Sequence, residues 1–271
     1  MGSGKNSLLW QIERSDWPGK SYLFGTMHTR SARVHRLVDC VTPFLEACTA
    51  FAAEFNPEEH TSAPVGDLRL PAGQSLRDLL GEKHFQKARR ILKKTVQFDL
   101  ARMEDWHPVV VQSTLDGLFF SREHAYPLDV VLWQRAQTMG KIGLGLETSE
   151  AQLKLLQTMS PEEGARQLLE MTRRIRAHRR HMQRLMTLYL EGDPDRLYQH
   201  ARRGLGAYRK TFLYARNRTM AEGILAFSQS YPLFAAVGAG HLSGGKGILR
   251  LLKHQGCRVR PIDLLAITPS A

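Results

Sequence analysis

"SYLFGTMHT", residues 21 to 29, is an apolar run that stops at Gly25-Thr26-Met27-His28, and "LFAAVGAGHLSGG", residues 233 to 245, stops the same way at Gly238-Ala239-Gly240-His241. Each run is short, apolar and followed by turn residues, which predicts a buried strand leading into a loop. Around the first lie "SLLWQIER" as a preceding strand, the amphipathic spacing of Val34, Leu37, Val38, Val41, Leu45 and Cys48 as a helix, and "TAFAAEFNP" as a strand ended by Asn56-Pro57. Around the second lie "LSGGKG" as a glycine-rich turn, "ILRLLKHQG" as a helix closed by Gly256, and "CRVRPIDLLAI" as a strand. Both ends of the chain thus carry strand, Gly-x-x-His, loop, helix, strand. That order predicts two duplicated βαβ-type units and a mixed, largely parallel central sheet covered by helices.

The tetrapeptide alone is weak evidence. With 22 glycines and 11 histidines in 271 residues, about one Gly-x-x-His is expected by chance, and "GEKH" at residues 81 to 84 is such a case in a charged helical stretch. His28 and His241 differ by standing just past the C-terminal ends of apolar strands, the edge of an open α/β sheet where ligands gather. Glu54 ends "TAFAAE" and Glu147 ends "IGLGLE", so parallel strands would bring four such side chains to one rim. Each has a plainer reading. A strand-end histidine is commonly just hydrogen-bonded, and Glu147 can be a first-turn charge ahead of a helix starting at Ser149. Glu54 sits in a buried-type run, where a carboxylate needs a partner.

Two imidazoles and a carboxylate are a common catalytic zinc set and also suit manganese, cobalt or iron. His28, Glu54 and His241 are therefore the candidate metal ligands, and Glu147 completes the coordination or acts as general base. Such a metal brings the pKa of its water to about 7 and polarises a carbonyl, which suffices for hydrolysis. A metal-free version has His28 as base oriented by Glu54.

The middle of the chain reads as helices: "LRDLLGEKHFQKARRILKKT", "PVVVQSTLDGLFFS", "PLDVVLWQRAQTMG", a long helix from Ser160-Pro161-Glu162-Glu163 to Gly192, and "KTFLYARNRTMAEGILAF". No low-complexity linker separates them, so one α/β domain over residues 1–271 with a mainly helical insertion around 75–230 is expected.

"SYLFGTMHT", "AAEFNP", "PLDVVLWQRAQTMGKIGLGLETSEAQL", "YARNRTMAEGI" and "AAVGAGHLSGGKGILRLLKHQGCRVRPI" resemble, in order, the blocks of the TraB/GumN family, which includes the TIKI metalloproteases. The resemblance runs from about Ser7 to Ile262. It implies the fold of the wider group containing erythromycin esterase and ChaN-like proteins, two halves each supplying a Gly-x-x-His, and a divalent-metal-dependent peptidase activity supported by manganese or cobalt. Carried over by position, it implies His28 and His241 as the motif histidines, Glu54 as acidic partner, Arg216 as an oxyanion-stabilising arginine and Glu147 in the acidic position of "GLET". It also implies a peptide or protein substrate. A non-catalytic ligand-binding or regulatory protein, holding a peptide or haem on the same rim, is the alternative.

Charge adds a further possibility. The net charge of +12 is concentrated in part in "TRRIRAHRRHMQR", residues 172 to 184, which is by default a solvated helix face and otherwise meets an acidic partner: nucleic acid, membrane headgroups or a polypeptide. No aromatic interleaves these arginines, which argues against stacking on single strands. Cys40, Cys48 and Cys257 are too few and scattered for a disulfide framework. No apolar run is long enough to span a membrane. The first residues lack the apolar core of a secretory leader, and a periplasmic or secreted location fits if a leader has been removed. "GSGK" at residues 2 to 5 lacks the preceding strand and the glycine spacing of a phosphate loop.

Overall fold

The computed structural model describes residues 7–58, 68–156 and 158–264, and "GSGK" lies outside them. Six strands form one sheet in the order β4-β3-β5-β2-β1-β6: β1 (Leu9–Glu13), β2 (Ser21–Thr26), β3 (Ala50–Phe55), β4 (Ile142–Glu147), β5 (Leu233–Gly238) and β6 (Arg258–Ile262). The pairs β2 with β5, β5 with β3, and β3 with β4 are parallel, while β1 pairs antiparallel with β2 and with β6. The mixed, largely parallel sheet expected from the sequence is present.

Two compact units divide the chain, one of Met1–Glu58, Ser121–Thr148 and Leu185–Ala271, the other of Glu59–Phe120 and Ser149–Arg184. The first holds the sheet with α1 (Ala32–Glu46), and its central strands are apolar on both faces because both faces are covered. On one side Leu23, Ala50, Ala52, Leu233, Ala235 and Val237 form a common core with Met220, Ile224, Ile248 and Leu252. On the other, Phe51 stacks on Phe234 with centroids 5.9 Å apart and meets Trp133 edge-on. Cys40, Cys48 and Cys257 are buried thiols.

The second unit is helical: α2 (Leu76–Leu80), α3 (Glu82–Val96), α4 (Pro108–Gly117), then α6 (Ser149–Leu156), α7 (Pro161–Arg173) and the first turns of α8 (Ile175–Leu190), α5 (Leu128–Thr138) belonging to the sheet unit. Its core is Leu76, Phe85, Leu92, Leu100, Leu115, Leu168 and Met171. Two stretches that read as continuous helices are broken. Gly81, at φ +75, ends α2 and begins α3, a conformation glycine adopts without cost. The run from Ser160 is interrupted at Arg174, φ −110 and ψ 30, for which the packing offers no evident cause. Ser160 does cap α7, its hydroxyl accepting the Glu163 N–H at 3.2 Å.

The sheet unit continues through α9 (Pro194–Gly204), α10 (Arg216–Ser230) and α11 (Ile248–His254). The stretch read as one helix from Lys210 opens instead with a π-helical turn, Lys210–Ala215, and α10 begins at Arg216. Such a turn inserts an extra residue and rotates the helix beyond it. Here it precedes Arg216 and the fully buried Asn217.

Candidate active site

Because β2, β3, β4 and β5 are mutually parallel, their C-terminal ends lie along one edge. From left to right the edge carries Glu147 (last residue of β4), Glu54 (β3), His241 (three residues past β5) and His28 (two past β2). Register keeps them level: Phe55 faces Glu147, and Thr26 faces Gly238.

Gly25 and Gly238 let the two motif turns meet their neighbours. A Cβ on Gly25 would stand 2.6 Å from Leu242 Cδ1 and 3.1 Å from the Ala239 backbone, so the first motif packs directly on the second. At Gly238 a Cβ would crowd Glu54 Oε1 at 3.2 Å, the same oxygen that accepts the Gly238 N–H at 2.7 Å. Gly25→Ala is expected to cost about 1–3 kcal/mol of stability, the usual penalty of overpacking, read as a lowered midpoint in denaturant unfolding. An unchanged midpoint would show that Leu242 relaxes freely.

Arg216 is the hub of the rim. Its Nε donates to both Glu147 oxygens at 3.1 and 2.9 Å, and its Nη2 donates to Glu147 Oε2 at 2.5 Å and Glu54 Oε2 at 2.6 Å. The Glu147 side chain is 5% exposed and that of Arg216 17%, so the clamp works with little solvent screening. Although α6 starts at Ser149, Glu147 spends its carboxylate on Arg216. Burial pushes the Glu54 carboxyl up, but Arg216, His241 and the Gly238 N–H together hold it at about 2. Arg216 in turn is raised: burial opposes its charge, and the two carboxylates more than restore it.

The histidines are oriented by two residues that sequence reasoning missed. His28 Nδ1 lies 3.0 Å from each Asp129 oxygen, Asp129 standing in the first turn of α5. Its hydrogen bond raises the His28 pKa against the effect of burial. Thus Asp129, and not Glu54, is the carboxylate that orients His28. His241 Nδ1 lies 2.6 Å from Asn217 Oδ1, and Asn217 Nδ2 donates to the Lys246 carbonyl at 2.7 Å. That carbonyl can only accept, so the amide orientation is fixed, Nδ1 of His241 carries the proton and Nε2 bears the lone pair. Burial lowers His241 to about 4, with Arg216 adding to it and Glu54 opposing. At neutral pH it is uncharged. Both missed residues lay inside conspicuous stretches, Asp129 after Pro127-Leu128 and Asn217 beside Arg216, but only the fold reveals whom they face.

A divalent ion needs donor atoms that nothing else occupies. Each imidazole has Nδ1 held by an acceptor and no hydrogen bond to Nε2 among the described residues, the arrangement of a metal-binding histidine. Each Glu54 oxygen accepts one hydrogen bond and retains a second lone-pair direction. Among the described residues, no three His, Cys, Asp or Glu side chains are gathered tightly enough to hold an ion as they stand. The donor chemistry fits at the histidines, while the carboxylates are held by Arg216.

No solved structure matches the chain. Metalloprotease TIKI1 of Danio rerio is 26% identical over 315 aligned positions, 95% of this chain and 63% of that protein, so the chain spans less than two thirds of its relative. The blocks carrying His28, Glu54, Glu147, Arg216 and His241 all fall within residues 8–261, which match a single family description from end to end, and the chain belongs to the TraB/PrgY/gumN family.

Proposed function

We propose that the protein is a divalent-metal-dependent hydrolase acting on peptide bonds, with His28, His241 and Glu54 as ligands and manganese, cobalt or zinc as the ion. The supporting observation is the pair of histidines at adjacent parallel strand ends, each with Nδ1 held and Nε2 bare. Similarity to a protein named as a metalloprotease supports the same reading. When bound, the ion supplies Lewis acidity toward a carbonyl and its attacking water.

The chain's own residues do the rest. Asp129 and Asn217 fix the two ring orientations. Arg216 keeps Glu54 ionised and holds both carboxylates at the rim, and its Nη1, without a hydrogen bond among the described residues, is the group left for developing charge on a substrate oxygen. Glu147, tied by both oxygens, serves as the counter-charge that sets Arg216, and its role as a base requires exchange of that pairing.

The test is hydrolysis of a peptide library by protein stripped with chelator and reloaded with manganese, cobalt or zinc. His28→Ala and His241→Ala, made separately, are each expected to lose more than about a hundredfold of the metal-dependent rate. The thermal midpoint of His28→Ala stays close to the parent's because that side chain is exposed, while His241→Ala, which leaves the buried Asn217 Oδ1 without its donor, lowers it. Metal binding without turnover in the parent protein would favour the ligand-binding alternative. Turnover that survives either substitution would sink the assignment.

A further inference from the structure

The helical unit carries a charge pattern that the rim does not use. On α3, Phe85, Ala88, Leu92 and Val96 face the core, and Lys83, Lys87, Arg90 and Lys94 stand exposed on the opposite face at helical spacing. The flank between these faces carries His84 and Thr95, and there α7 and α8 approach. Arg173 Nη2 lies 3.4 Å from His84 Nε2, and Arg179 Nη2 donates to the Thr95 carbonyl at 2.7 Å. From that flank Arg176, Arg180 and Arg184 extend along α8, all exposed, at a four-residue repeat.

Three other cations of the helical unit are neutralised: Arg77 by Glu82 and Glu104, Arg89 by Asp99, Arg174 by Glu170. Those of the two stripes form no ion pair among the described residues. Side by side, the stripes make a patch of unneutralised charge rather than a single line.

We propose that this face of the helical unit, Lys83, Lys87, Arg90 and Lys94 on α3 with Arg176, Arg180 and Arg184 on α8, is a docking surface for an anionic lipid membrane. A planar layer of acidic headgroups meets both stripes at once and along their whole length. Exposed aromatic side chains, which single-stranded nucleic acid needs for stacking, are missing from both stripes. Long lysine and arginine stems reach such a layer without burying any apolar residue, so attachment is electrostatic and reversible.

The test is co-sedimentation of the full chain with phosphatidylcholine vesicles made with and without phosphatidylserine. Binding is expected only with phosphatidylserine and is expected to fade as salt rises. Lys87→Glu, Arg90→Glu, Arg180→Glu and Arg184→Glu combined should lower the partition coefficient more than about a hundredfold. A control reversing Lys20, Arg36, Arg250 and Lys253, exposed cations of the sheet unit, should lower it far less. A milder set, Lys87→Gln with Arg180→Gln, gives an intermediate loss and guards against misfolding of the first. Equal loss in the control, binding to neutral vesicles, or displacement of the protein from vesicles by a short DNA duplex at equal anion concentration would overturn the proposal, the last in favour of nucleic acid.

Discussion

Replacing Arg216 by methionine is expected to destabilise the protein by about 3–5 kcal/mol, the cost of leaving buried carboxylates without their cation. Glu54 and Glu147, at the ends of adjacent strands, then lose the cation they share, and Glu54 keeps the Gly238 N–H. The loss depends on pH, and its sign is set by Glu54. In the parent protein its carboxyl is depressed from an ordinary 4.5 to about 2, so its stabilising contribution is complete above the unfolded-state value and disappears as pH falls through the folded one. Without Arg216 the Glu54 carboxyl holds its proton to higher pH. Urea unfolding should therefore show the largest difference between parent and Arg216→Met at neutral pH and a shrinking one below about pH 4. Arg216→Lys keeps the charge but loses the fork that spans both carboxylates, and should fall between the two. A deficit that stays constant across this range would mean that packing, not charge, is what Arg216 supplies.

The second large effect concerns Asn217. Substitution by leucine preserves volume but removes both the acceptor of the His241 Nδ1–H and the donor to the Lys246 carbonyl. The imidazole is then free to rotate and to present either tautomer, and a carbonyl is left unpaired. Stability is expected to fall by about 1–3 kcal/mol, and metal affinity by about 10- to 100-fold. Calorimetric titration with manganese or cobalt alone, compared with the denaturation midpoint, separates the two: a purely structural role lowers the midpoint and leaves the affinity of the remaining folded protein untouched. Asn217→Gln, one methylene longer in a site that is fully buried, should rescue neither.

Much of this arrangement was legible beforehand because strand ends are written in local sequence. "SYLFGTMH" and "LFAAVGAGH" declare their strands by apolar composition and their ends by glycine, and "TAFAAE" and "IGLGLE" place Glu54 and Glu147 at corresponding positions. What the residues alone could not tell was order. Nothing near Ser21 says that its strand will lie between β1 and β5, and the histidines become neighbours only because β5, far away in the chain, pairs with β2. The partners of charges were hidden for the same reason: Asp129 lies 101 residues from His28, and Arg216 lies 162 from Glu54. The π-helical turn before Arg216 was invisible because its residues, Lys-Thr-Phe-Leu-Tyr-Ala, favour an ordinary helix equally well.

The place of β5 also governs the order in which this protein can assemble during synthesis. β2 and β3 leave the ribosome early, yet neither touches the other in the finished sheet. The strand that separates them begins at Leu233, and the last edge, β6, pairs with β1 from Arg258 onward. Until then the nascent chain holds two separate pieces of sheet, β3 with β4 parallel and β1 with β2 antiparallel, with their apolar edges open, which is the circumstance that favours slow closure and recruitment of chaperones. The helical unit, whose segments end at Arg184, is under no such constraint. A ribosome-stalled chain ending before Leu233 should thus protect α3 and α7 from protease while leaving β2 open to it, and the rim that gathers His28, Glu54 and His241 comes into being only as the last strands are released.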